Sequence, residues 1–216
     1  MRTLFTSLLI VCGLLSGPSQ AGAQTLREVK LVVLGDSLSA GYQLPAADAF
    51  PAKLQAALRA RGQAVSVENA GVSGDTSTGG LERLDWSVAE GTDAVILELG
   101  ANDALRGLDP AITRSNLDTI VTRLKERGIA VLMAGMLAPP NMGSAYAGAF
   151  NPIFPDLAGK HGLILDPFFL DGVATVPGLS LADGMHPNAR GVDVMVQRIL
   201  PKVEELIAAV RARRDG

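Results

Sequence analysis

Gly35-Asp36-Ser37-Leu38 stands directly behind the apolar run Val29–Leu34. A strand that ends in a glycine-flanked serine delivers a hydroxyl to the carboxyl edge of a sheet, where open α/β folds hold their ligands. An unactivated hydroxyl is a weak nucleophile, so Ser37 needs a base, a group that orients the base, and donors for an oxyanion. The chain has two histidines. His186, in Asp183-Gly184-Met185-His186-Pro187, is the candidate base. Asp183 lies three residues before it in a glycine-containing turn, a spacing that lets a carboxylate hold one imidazole nitrogen while the other faces Ser37. His161, in Lys160-His161-Gly162, closes a helix and reads as a surface residue that complements the helix dipole. The oxyanion donors expected are the Ser37 N–H, the backbone of Gly74, which has no Cβ to obstruct a ligand, and the side-chain amide of Asn102. Asp36 is not needed as the triad carboxylate, and its expected task is to hold the Ser37 turn through backbone hydrogen bonds.

The elements that must position these residues follow from periodicity. Val29–Leu34, Ala94–Leu99 and Ile129–Gly135 read as short, largely apolar strands, with Glu98 the one charged residue in Ala94–Leu99, and Val65–Asn69 and Leu163–Asp166 read as two further short strands. Helical spacing covers Asp48–Arg61, closed by Gly62; Thr76–Leu84; and Asp109 to about Arg127, opened by Asp109-Pro110 and closed by Gly128. Further helices are Ala145–Lys160, interrupted near Asn151-Pro152, and Gly191–Arg213. Strands that are continuous apolar runs alternating with helices mean a parallel sheet covered on both faces. The blocks after strands one, two, three and five then emerge at one edge: Gly35–Leu38, Asn69–Thr76, Gly100-Ala101-Asn102-Asp103 and Asp183–Pro187.

These blocks resemble those of the SGNH, or GDSL, hydrolases, and are most similar to the periplasmic thioesterase I, arylesterase and lysophospholipase L1 group. The similar stretches are Leu34–Tyr42, Ser73–Ser77, Glu98–Gly100, Asn102-Asp103, Leu105–Gly107 and Asp183–Asn188. The resemblance implies a three-layer α/β/α flavodoxin-like domain with five parallel strands ordered 2-1-3-4-5. It implies Ser37 as nucleophile, Ser37, Gly74 and Asn102 as the oxyanion hole, and Asp183 and His186 as the rest of the triad. Ala101 replaces a glycine frequent in relatives. The implied chemistry is hydrolysis of aryl esters, acyl thioesters or lysophospholipids through an acyl-enzyme, with no metal or organic cofactor. Gly-x-Ser-x-Gly is absent around Ser37, which argues against an ordinary α/β-hydrolase. A rival from another class is a metal-dependent phosphoesterase that gathers Asp36, Asp75, Asp103, Asp183 and His186 around a hard cation. A passive lipid- or carbohydrate-binding module is a third. Leu105, Leu108, Met142 and Phe150 are candidates for an acyl groove, and Pro139–Tyr146 is the expected site of substrate-pocket variation. Aromatic residues make up only 4% of the chain, which disfavours a sugar-stacking platform.

The 216 residues carry a net charge of −3, with no basic field of the kind nucleic acid requires. Arg2, the apolar run Leu4–Leu15 and Ala21-Gly22-Ala23 read as a secretory signal peptide comprising residues 1–23. The run is shorter than the roughly 20 residues that span a bilayer. Residues 24–216 are then one hydrolase domain, expected to be periplasmic or secreted, without a stable membrane anchor and monomeric. The leader holds the only cysteine, Cys12, and the bulky Val11 before it argues against lipidation. The exported chain has no disulfide to form, and a chain of this length buries about 70% of its unfolded surface, enough to fold without one.

Overall fold

The computed structural model describes residues 27–215, and the predicted leader with Cys12 lies outside them. In chain order the elements are β1 (Val29–Gly35), α1 (Ser37–Ala40), α2 (Phe50–Ala60), β2 (Val65–Gly71), α3 (Ser77–Glu82), α4 (Leu84–Ser87), β3 (Ala94–Glu98), α5 (Ala101–Leu105), α6 (Pro110–Glu126), β4 (Ala130–Ala134), α7 (Gly143–Phe150), α8 (Ile153–His161), β5 (Ile164–Asp166) and α9 (Ala189–Asp215). The five strands form one sheet in the order β2-β1-β3-β4-β5. Every pairing is parallel, as continuous apolar strands require. All five residues of both β3 and β4 are buried. Helices α2 and α9 pack together on one face, and α3, α6 and α8 pack as a layer on the other. This is the α/β/α architecture expected from the sequence.

Local chemistry explains the boundaries. Asp109 caps α6 by accepting the Ala111 N–H at 2.9 Å, and Pro110 occupies the first turn, where its missing N–H costs nothing. The side chains of Leu117, Ile120, Val121 and Leu124 on α6 are buried, a helical stripe against the sheet. The segment predicted as one helix from Asp48 begins instead with a 3₁₀ turn at Ala46–Asp48, and α2 starts at Phe50 with Pro51 in its first turn. The interruption at Asn151-Pro152 separates α7 from α8. Helix α9 starts two residues earlier than predicted because Asn188 Oδ1 accepts both the Arg190 and Gly191 N–H groups at 3.0 Å.

Candidate active site

The register of the three central strands sets the stage. Gly35, the last residue of β1, lies opposite Gly71 on one side and Glu98 on the other. The segments that follow these positions therefore leave the sheet side by side. A Cβ at position 35 would stand 2.4 Å from both Glu98 Oε2 and Ser39 Oγ, so only glycine lets the β1 backbone pass this close. Asp36 then caps the one-turn helix α1, accepting the Leu38 N–H on Oδ1 at 3.0 Å. This is the turn-holding role expected of Asp36, and it presents Ser37 at the start of α1.

Ser37 Oγ lies 2.9 Å from His186 Nε2, although 149 residues separate them. His186 Nδ1 lies 2.7 Å from Asp183 Oδ2. The other carboxylate oxygen of Asp183 accepts the backbone N–H of Met185 at 2.9 Å and of His186 at 3.0 Å. One side chain thus fixes both the loop and the ring that the loop carries. These two backbone donors, and then the imidazole, pull the Asp183 carboxyl down to about 2. An ionised acceptor on Nδ1 leaves Nε2, which faces Ser37 Oγ, as the nitrogen free to accept a proton.

The three expected oxyanion donors are not in equivalent states. The Ser37 N–H, at the first position of α1, and the Gly74 N–H have no acceptor among the described residues. Gly74 has φ +83°, a conformation that favours glycine, and its carbonyl accepts Arg106 Nη2 at 2.6 Å. Asn102 differs: its Nδ2 donates to Asp36 Oδ2 at 3.0 Å and to the Asp75 carbonyl at 2.9 Å. Both hydrogens of the amide already have acceptors.

Two residues that sequence reasoning left without a role support this arrangement. Arg83 is buried and donates to Asp75 Oδ2 (2.6 Å), the Ala70 carbonyl (2.7 Å), Ser87 Oγ (3.0 Å) and the Gly35 carbonyl (2.8 Å). It ties the ends of β1 and β2 to the loop that carries Gly74 and Asp75. Nothing in its helical context signals this, because two of its four acceptors are backbone carbonyls, at the ends of β1 and β2. Glu98 is fully buried, and its Oε2 accepts the Ser39 hydroxyl at 2.6 Å and the Asp36 N–H at 3.2 Å, while Oε1 has no partner. Its signal was visible as the lone charge in an apolar strand. Burial first, and the neighbouring Asp36 second, push the Glu98 carboxyl well above the usual range. Burial likewise lifts Asp36, to about 6.

A cavity of about 260 Å³ opens at Ser37 and His186. Its apolar lining comes from Leu38, Leu105, Met136, Leu137, Pro139, Phe168, Leu170 and Met185. Leu105 is the one member of the predicted acyl-groove set in that lining. Leu108 and Met142 lie outside it, and Met142 instead packs by Gly107, its Cε 3.2 Å from where a Cβ there would sit. Phe150 is a core residue, edge-on to Phe154. Most of the lining comes from the loops after β4 and β5, whose positions depend on packing. His161 closes α8 as expected, but its ring meets Asp118 Oδ1 at 2.6 Å.

The metal-dependent rival is not supported. Asp103 is buried and accepts Ser77 N–H, Ser77 Oγ and Thr113 Oγ1, while Asp75 is paired with Arg83. Among the described residues no three His, Cys, Asp or Glu side chains converge as metal ligands.

The model of the GDSL-like lipase/acylhydrolase family matches residues 33–194. An arylesterase of Vibrio mimicus is 44% identical over 189 residues, 87% of this chain and 90% of that protein. The thioesterase 1/protease 1/lysophospholipase L1 of Escherichia coli is 38% identical over 178 residues, 80% of this chain and 84% of that protein. The crystal structure of TesA superposes with a TM-score of 0.78 at 39% identity, covering 82% of this chain and 99% of that one.

Proposed function

Because this chain belongs to the GDSL-like lipase/acylhydrolase family and is a carboxylic ester hydrolase, we propose that Ser37, His186 and Asp183 carry its chemistry by acyl transfer. The observation that carries this reading is the continuous chain of contacts from Ser37 Oγ to His186 Nε2 (2.9 Å) and from His186 Nδ1 to Asp183 Oδ2 (2.7 Å). Ser37 Oγ attacks the carbonyl carbon of an ester or thioester as its proton passes to His186 Nε2. The imidazolium is held by the Asp183 carboxylate. Negative charge gathers on the carbonyl oxygen, against the Ser37 and Gly74 N–H groups, with Asn102 as the third donor. His186 then protonates the leaving alcohol or thiol, and the acyl group stays on Ser37. Water, activated by the same imidazole, releases the acid.

The apolar cavity beside Ser37 supports an acyl chain or aryl group as the recognised part of the substrate. Aryl esters, acyl thioesters and lysophospholipids are the substrate classes proposed, on the printed activities of the relatives. The triad contacts are complete within one chain and need no residue from a second copy; a working monomer is proposed. The leader-like residues 1–23 support export to the periplasm or beyond; among the described residues no helix is long and apolar enough to cross a membrane.

The test is twofold. A fluorophosphonate should label Ser37, and Ser37→Ala should abolish both labelling and hydrolysis of p-nitrophenyl butyrate. Near-wild-type hydrolysis by Ser37→Ala would falsify the assignment. A kcat/KM series over p-nitrophenyl esters of increasing acyl length then ranks the substrates.

A further inference from the structure

We propose that Tyr42 is a positioning residue for the catalytic base: its ring holds the His186 imidazole in place and stabilises the imidazolium that forms during acyl transfer. This rests on the triad reading above.

The two ring centroids are 4.4 Å apart with planes inclined at 36°. That is inside the roughly 6 Å within which a cation gains from an aromatic face. The placement is built into the nucleophile's own turn. Gly41, at φ +82°, reverses the chain after α1, and the Gly41 and Tyr42 N–H groups both return to the Ser37 carbonyl, at 3.3 and 3.2 Å. A Cβ at position 41 would meet Ala49 Cβ at 2.6 Å, so the reversal is kept tight. The five residues after Ser37 thus carry a ring back over the base that serves Ser37. Tyr42 is 37% exposed, and it meets His186 through its ring. Tyr42 is absent from the residues that line the cavity, and its contact with the site runs through His186.

Proton transfer from Ser37 Oγ to His186 Nε2 creates the cation that the ring face favours. Removing the ring should therefore slow the chemical step and leave ground-state binding alone. The experiment compares Tyr42→Phe, Tyr42→Leu and Tyr42→Gln with wild type. Tyr42→Phe should keep kcat within about twofold, while the two ring-free variants should lose roughly 3- to 30-fold in kcat with KM little changed. The rate of fluorophosphonate labelling of Ser37 should fall by the same factor at an unchanged Tm. Ring-free variants with wild-type kcat and labelling rate would overturn the proposal. So would a loss carried by KM, or a Tyr42→Phe variant as slow as Tyr42→Leu. Failure to label Ser37 in the wild-type enzyme would instead overturn the triad and this proposal with it.

Discussion

Asn102 Nδ2 donates to Asp36 Oδ2 at 3.0 Å across 66 residues of sequence. The same carboxylate holds the Leu38 N–H on its other oxygen. Asp36 thus couples the turn that carries Ser37 to the side chain expected to meet the oxyanion. In Asp36→Asn one oxygen remains for Leu38, and an NH2 group now faces the NH2 group of Asn102. Losing one hydrogen bond to a charged group predicts a fall in kcat of roughly 10- to 100-fold. Asp183→Asn should be worse, roughly 10⁴-fold, because it disturbs the tautomer of the base. Rates on p-nitrophenyl butyrate decide the order, and a reversed order would make Asp36 the acid that serves the triad.

Asn102→Ala should lower kcat about 10²-fold, the lower end of what an oxyanion donor contributes. The low end is expected because both Nδ2 hydrogens are already engaged, so an oxyanion must share one of them. Circular dichroism should show an intact fold, since Asn102 is only half-buried. A variant as active as wild type would leave the Ser37 and Gly74 N–H groups as the whole oxyanion hole.

Glu98→Gln should make stability less sensitive to pH. Burial raises the Glu98 carboxyl well above the unfolded value of about 4.3. The folded protein therefore keeps a proton that the unfolded chain releases. This contribution to stability is complete below about pH 4 and is lost as pH rises through the raised folded value. Gln is neutral throughout and keeps an oxygen for Ser39 and the Asp36 N–H. Asp183 acts in the opposite sense, losing its contribution as pH falls from about 4 towards 2, and it does so equally in both proteins. Thermal unfolding at pH 4, 6 and 8 should show Glu98→Gln near wild type at pH 4 and gaining on it towards pH 8. A constant difference across that range would mean Glu98 titrates normally.

Arg83→Met should destabilise the protein by about 3 kcal/mol or more, because it leaves Asp75 without its cation in a nearly buried pair. The carbonyls of Gly35 and Ala70 lose their donor at the same time. Urea unfolding measures the loss, and Asp75→Asn in the same background should cost less than it does in wild type. A loss under about 1 kcal/mol would show that the pair contributes little, as exposed pairs do.

Element types were legible because each rests on local physics. The apolar runs at β1, β3 and β4 are short and carry β-branched residues, which favours buried strands, and Asp109-Pro110 ahead of a helical stripe favours a helix start. The proposed triad of Ser37, Asp183 and His186 could be named from sequence because a nucleophile, a base and its acid are restricted to few residue types, and the chain has only two histidines to choose from. Residues that act by shape were not. Leu108 and Met142 are as apolar as Leu137 and Phe168, yet only the latter two face the cavity. Apolar burial is non-directional, and composition does not say which loop folds over which strand end.

By itself the sequence determined a parallel α/β chain with a serine at a strand end and an aspartate and a histidine just ahead of the last helix, because periodicity and residue chemistry act over a few neighbours. Only the tertiary structure decided that Ser37 and His186 meet at 2.9 Å and that Tyr42 lies over the imidazole. It also decided that Arg83 and Glu98 hydrogen-bond the residues on either side of Ser37, and that the Asn102 amide is already shared with Asp36 and Asp75. Those relations come from the register of β1 against β2 and β3 and from long-range packing, where the partners of a polar group are set by the whole fold and by the cost of leaving it unpaired.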